Sequence, residues 1–214
     1  SLAFLFGILS ILCFWKGYIN NKGKIYIWLV GFFVSLSFLT RLTGIMYGEL
    51  ILLFLLFTDN FKFIKNKHMW TSLLVSFLTI TPYLYWCYLH FGNALAFRRG
   101  YGGTIYSQLG WWMLQLVYDY PEFVFFICFL IGLLTLLPMF LSLDMLVFKK
   151  DKKYLNDFFI FLNIFFTLAF FIYFLRQGEN RWLMMMSIGI FIISAKGIVF
   201  VSDIIKKHLG KVLA

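Results

Sequence analysis

Apolar runs about as long as a bilayer is thick recur from one end of this chain to the other, and short lysine-bearing segments divide most of them. A hydrocarbon core of about 30 Å takes roughly 20 helical residues to cross. Inside that core each backbone N–H and C=O has to be satisfied within the protein, which favours helices. The composition points the same way: of 214 residues, 62% are hydrophobic and 13% are charged. A soluble domain is about half apolar and about a quarter charged, so this chain has too few polar residues to build a water-facing exterior.

The runs are Leu2–Trp15, Ile25–Phe57, Met69–His90, Phe123–Phe148, Leu155–Leu175 and Trp182–Val201. Three connecting segments and the C-terminal tail carry Lys: Lys16, Lys22 and Lys24; Lys62, Lys65 and Lys67; Lys149, Lys150, Lys152 and Lys153; and Lys206, Lys207 and Lys211. Two others, Phe91–Glu122 and Arg176–Arg181, have none. Positive residues stay on the cytoplasmic side of a membrane, so the Lys-rich segments are expected inside and the other two outside.

This sidedness constrains Ile25–Phe57. Both of its flanks carry Lys, and a single span cannot start and finish on one side. The run is therefore read as a hairpin of two helices, Ile25–Thr40 and Ile45–Phe57, with Arg41-Leu42-Thr43-Gly44 at its tip. At 1.5 Å per residue each helix reaches only about 20–24 Å, which leaves the tip below the outer surface. Non-helical backbone at that depth must be packed in protein or line a wet cavity. The fold class is thus all-α, a polytopic membrane protein of about seven transmembrane helices including a short re-entrant-type hairpin. It forms a single multi-pass domain over residues 1–214, and residues 91–122 form an outer loop. In that loop Gly92, Gly100, Gly102 and Gly103 mark flexibility. Tyr106–Tyr120 reads as an interfacial helix with aromatics at headgroup level. Pro82 and Pro138 fall inside spans and are expected to kink them.

The chain starts inside an apolar run, at Ser1-Leu2-Ala3, and that run stops at Trp15, short of a full span. A C-terminal part of a longer protein is expected. Cys13, Cys87 and Cys128 lie in apolar runs without CxxC spacing, and the three His are scattered, so neither disulfides nor a metal site is expected. The net charge of +10 sits in short loops between spans. It argues for anionic lipid headgroups and against nucleic acid.

The two kinds of cation are segregated. Lys lies in the inner segments or, as Lys196, in the inner part of the last helix. All five Arg lie towards the outside: Arg41, Arg98, Arg99, Arg176 and Arg181. Orientation alone would treat Lys and Arg alike. A guanidinium offers a planar fork matched to phosphate or carboxylate, whereas an ammonium is a point charge. Arg41 is the most telling, because a charge at hairpin depth costs at least about 2.5 kcal/mol. Glu49, two turns further on, either pairs with Arg41 or lines the same cavity. The candidate substrate-binding residues are Arg41, Glu49, Arg98, Arg99, Tyr101, Glu179 and Arg181. The bland alternative is that these Arg anchor headgroups or pair with Glu179, Asp119 and Glu122.

Three segments resemble the GT-C superfamily of membrane glycosyltransferases. Phe38-Leu39-Thr40-Arg41-Leu42-Thr43-Gly44 is similar to its "LTR-x-(T/N)-G" signature, found also in the GPI mannosyltransferase branch. Pro82-Tyr83 and Tyr88-Leu89-His90-Phe91-Gly92-Asn93-Ala94-Leu95-Ala96-Phe97 resemble a segment where a helix leaves the membrane. Glu179-Asn180-Arg181-Trp182-Leu183 is similar to the "E-x-R-Y-L" of the protein O-mannosyltransferase and aminoarabinose-transferase branch, with Trp182 where Tyr is usual and without the Pro that often follows. The resemblance implies transfer of a sugar, such as mannose, from a polyprenyl-phosphate donor to an acceptor at the outer face. The partners it implies are the lipid bilayer and that lipid-linked sugar, and no cofactor beyond the donor itself is evident. The prokaryotic cell membrane is expected in preference to the endoplasmic reticulum. The family's catalytic acid stands in an early outer loop. No such motif stands here, so it is expected upstream, and the residues present are expected not to suffice for catalysis. Competing readings are a transporter or flippase for an anionic lipid, an O-antigen ligase or polymerase, and a non-catalytic membrane scaffold.

Overall fold

Long apolar runs with few prolines give the backbone no hydrogen-bonding partner but itself. The computed structural model is accordingly almost entirely helical over the residues it describes: 2–59, 61–92, 123–141, 151–170 and 180–212. The α-helices among them are α1 (Leu2–Phe14), α2 (Lys24–Thr40), α3 (Met46–Asp59), α4 (Lys67–Phe91), α5 (Phe123–Leu134), α6 (Leu137–Leu141), α7 (Lys152–Ala169) and α8 (Asn180–Val212). Leu2–Ile19, Lys67–Phe91 and Ser187–Lys207 are long and apolar enough to cross a membrane, and Lys24–Thr40, Ile127–Leu141 and Tyr154–Ala169 are shorter apolar helices. This is an all-α membrane protein, and each of the seven expected spans has its helical counterpart. The expected interfacial helix Tyr106–Tyr120 lies outside the described residues.

Two boundaries differ from the sequence reading. The first run does not stop at Trp15: α1 continues as a π-turn over Trp15–Ile19, giving an apolar helix of 18 residues. Lys16 does not end it, because its Nζ lies over the Tyr26 ring, 5.8 Å from the centroid, where the π-face accommodates the charge. Pro138 does more than bend its helix. Having no N–H, it leaves the carbonyl of Leu134 without its helical donor. The helix breaks at Thr135 and Leu136 and resumes with Pro138 in the first turn of α6, where the missing N–H costs nothing. Thr135 Oγ1 donates to the Gly132 carbonyl at 2.6 Å and covers part of the break. Pro82, by contrast, sits within an unbroken α4.

The helices group into two compact units, Ser1–Gly100 and Tyr101–Ala214. In the first, the chain direction of each helix can be read from its contacts. Ser37 Oγ donates to the Ala3 carbonyl at 2.7 Å and Gly17 abuts Ile27, so α1 and α2 are antiparallel. Gly7 faces the Tyr47 ring, Phe14 meets Phe54 edge-on and Tyr18 donates to the Asp59 carboxylate; α1 and α3 are therefore parallel. Gly31 N–H donates to Ser72 Oγ at 2.9 Å, and Ser35 Oγ lies 2.6 Å from Ser76 Oγ, so α2 and α4 are parallel too. Small residues allow this proximity. In a bilayer, where apolar side chains gain little by leaving lipid, close backbone packing and interhelical hydroxyl bonds of about 0.6 kcal/mol each hold helices together.

The second unit uses the same means. Gly132 of α5 rests on the Ile193 carbonyl of α8, and Gly197 of α8 rests on the Cys128 carbonyl of α5. That reciprocal pair fixes the two helices antiparallel. Helix α7 runs antiparallel to α8, with Asn163 and Ile164 against Gly189 and an ion pair from Asp157 to Lys196. The Phe140 and Phe161 rings meet edge-on across α6 and α7, centroids 4.8 Å apart.

Candidate functional site at the hairpin tip

The directions just derived require α2 and α3 to run antiparallel, as the hairpin reading demanded. Direct contacts agree: Gly44 abuts Ser37 and Gly48 abuts Val34. The turn is built locally. Helix α2 ends when the Ser37 carbonyl accepts both the Arg41 N–H at 3.0 Å and Thr40 Oγ1 at 2.8 Å. Arg41 is extended (φ −160°, ψ 130°), which turns the chain out of the helix. A 3-10 turn, Leu42–Ile45, follows, with Gly44 N–H donating to the Arg41 carbonyl at 2.8 Å. A Cβ on Gly44 would stand 2.3 Å from the Ser37 carbonyl. Glycine at this position is a condition of the tip folding back onto α2.

The middle of the tip is covered by protein. Thr43 and Gly44 are buried, and Met46, Tyr47 and Leu50 are wholly so. This is the way irregular backbone can be accommodated at membrane depth. Two polar atoms are enclosed with it. Thr43 Oγ1 and Tyr47 Oη are buried and have no hydrogen-bond partner among the described residues. Thr43 entered the sequence reading only as part of the tip and its signature, and Tyr47 not at all; its only signal was a hydroxyl four residues on from Thr43, beside a helix break.

The register between α2 and α4 measures the depth of the tip. Gly31 faces Ser72 and Ser35 faces Ser76, a constant offset that brings Arg41 level with Pro82. Helix α4 runs on to Phe91, capped by Gly92 in the left-handed region (φ 67°), whose N–H donates to the Tyr88 carbonyl at 2.9 Å. At 1.5 Å per residue the tip lies about 15 Å short of the end of α4.

Two of the seven candidate residues lie within the described part of the first unit. Arg41 is half-buried at the tip. Glu49, also half-buried, lies in the first turn of α3, where the helix N-terminus favours a carboxylate. Among the described residues Glu49 makes no ion pair. Arg181 lies in the first turn of α8, in the other unit. Arg98, Arg99, Tyr101 and Glu179 lie outside the described residues. No group of three or more His, Cys, Asp or Glu that could hold a metal ion occurs among the described residues.

Thus the best-defined feature is a helical hairpin in a membrane bundle, turned at a half-buried arginine. Residues 1–86, which cover α1 to α3 and most of α4, match the family model for dolichyl-phosphate-mannose-protein mannosyltransferase. That similarity supports a membrane glycosyltransferase of the GT-C type. No curated protein and no solved structure matches the chain.

Proposed function

We propose that the protein is a multi-pass membrane glycosyltransferase of the GT-C type. On this reading it moves a sugar from a polyprenyl-phosphate donor to an acceptor at the face opposite the lysines, and Arg41 contacts the donor phosphate. The observation that carries this reading is the position of Arg41: at a protein-packed break between short antiparallel helices, level with Pro82 and about 15 Å below the end of α4. A guanidinium held at that depth suits the phosphate of a lipid whose tail lies in the same leaflet. The similarity of residues 1–86 to protein mannosyltransferases supports the same reading.

The chemistry asks for such a group. The bond between the anomeric carbon and the phosphate oxygen breaks as the acceptor oxygen bonds to that carbon. The acceptor proton passes to a carboxylate, which the family resemblance puts upstream. The departing phosphate gains charge as it leaves, and a preorganised donor in a site that excludes water stabilises this most. A guanidinium offers two parallel N–H donors to phosphate; an ammonium cannot.

The test is a transfer assay on the full-length enzyme with a polyprenyl-phosphate sugar, at equal protein level. Arg41→Lys is expected to cut transfer at least about tenfold, equivalent to about 1.4 kcal/mol of transition-state stabilisation, while expression and insertion stay near wild type. Full activity in Arg41→Lys would reduce the arginine to a headgroup anchor. Movement of intact lipid-linked sugar across the bilayer without transfer would favour a transporter instead.

A further inference from the structure

At the end of the first unit opposite the tip, the segment joining α3 to α4 combines three features. Lys62, Lys65 and Lys67 are exposed, and among the described residues none is paired with a carboxylate. Apolar side chains stand out between them: Phe61 is 63% exposed, Ile64 45% and Trp70 57%. Phe61 is held in the left-handed region at φ 63°, an outlier for a bulky residue and one that costs about 1–2 kcal/mol. The segment is also anchored. Trp70 Nε1 donates to the Ile64 carbonyl at 2.7 Å, Asn66 caps α4 by accepting the His68 N–H at 3.0 Å, and Phe63 is buried beneath. The nearby acid, Asp59, is buried and accepts from Tyr18.

We propose that this segment is a fixed binding site for an anionic phospholipid, with the lysines on the headgroup phosphate and Phe61, Ile64 and Trp70 in the acyl region. Lysine alone would suit any polyanion. The interleaved exposed aromatic and aliphatic groups need hydrocarbon beside the anion, and a bilayer lipid supplies both. Trp is suited to that boundary, with an apolar ring and a polar N–H. The strained Phe61 backbone turns an apolar side chain out of the protein where burial inside it would be the usual outcome, which is explicable if lipid covers it. Lys16, Lys22 and Lys24, at the same end, reinforce the field. The inference does not depend on the transferase reading.

The experiment is native mass spectrometry of the full-length protein released from detergent with equimolar phosphatidylglycerol and phosphatidylcholine. Wild type is expected to retain phosphatidylglycerol preferentially. Each lysine near an anionic surface strengthens attachment about fivefold, so the triple substitution Lys62→Gln, Lys65→Gln, Lys67→Gln should lower that preference at least tenfold. The pair Lys206→Gln, Lys207→Gln, which removes exposed charge elsewhere, should leave it within about twofold. Phe61→Gly keeps every charge and relieves the backbone; it should weaken retention while raising thermal stability without lipid. Equal losses in the triple and the pair would mean diffuse charge attraction and overturn the site. So would unchanged retention in the triple variant.

Discussion

Gly44 and Gly92 both follow a helix end in the first unit, yet they are glycines for different reasons. Gly92 has φ 67° and nothing within 4 Å of where a Cβ would be; it needs backbone freedom and has room. Gly44 has no such angle but lies against the Ser37 carbonyl; it needs the absence of a side chain. Asn tolerates the left-handed region, so Gly92→Asn should leave thermal unfolding in detergent near wild type. Gly44→Ala forces two backbone segments apart and should cost about 1–3 kcal/mol, the usual penalty of overpacking. A neutral Gly44→Ala would mean that the tip does not rest on α2. The sequence marked Arg41 because a charge in an apolar run is conspicuous. It marked Thr43 and Gly44 only as parts of the tip signature, without a physical reason, and did not mark Tyr47, since close approach and burial arise from the neighbouring helix and leave no local pattern.

The element that sequence reasoning derived most securely was the hairpin, because lysines on both flanks of one long run exclude a single crossing. Parallel packing of α2 with α4 and of α1 with α3 now carries the same conclusion by an independent route. A kink was expected at Pro82 and Pro138 alike, and only the second became a break; the π-turn after Phe14 was not legible, because Lys16 disguised the helix as finished. Lys196 had no explanation in the sequence beyond orientation, and the structure supplies Asp157 of α7 as its partner. The Asp157 side chain is 8% exposed and that of Lys196 31%. This asymmetry makes the two substitutions unequal. Lys196→Met strands a buried carboxylate and should destabilise the α7–α8 pair by about 3–5 kcal/mol. Asp157→Asn leaves a lysine long enough to move its ammonium towards the interface and should cost less. The double substitution should recover part of the loss, as coupling between contacting residues requires. Thermal unfolding of the three variants decides it, and equal single losses with simple additivity would count against a coupled pair.

At the scale of the whole molecule, what most needs testing is the depth of the tip relative to the ends of the bundle. Three observations on the first unit bear on it: its lysines gather at the end where α1 and α3 finish, Arg41 lies at the opposite turn, and α4 outruns that turn by about 15 Å. A thiol reacts as its thiolate, which forms only where water reaches. Cysteine introduced at Gly92, at the end of α4, should react readily with an impermeant reagent added on the side opposite the lysines. Cysteine at Lys65 should react only from the lysine side. Ile45 is exposed at the tip, so Ile45→Cys is the informative position. If the tip lies below the surface in a wet cavity, this cysteine should react from the same side as Gly92→Cys but more slowly, and more slowly still with a bulky reagent. A polyprenyl-phosphate donor added beforehand should protect it further without changing the rate at Gly92. Equal rates at the two positions would bring the tip to the surface, where a guanidinium costs little and Arg41 would lose its claim to a phosphate.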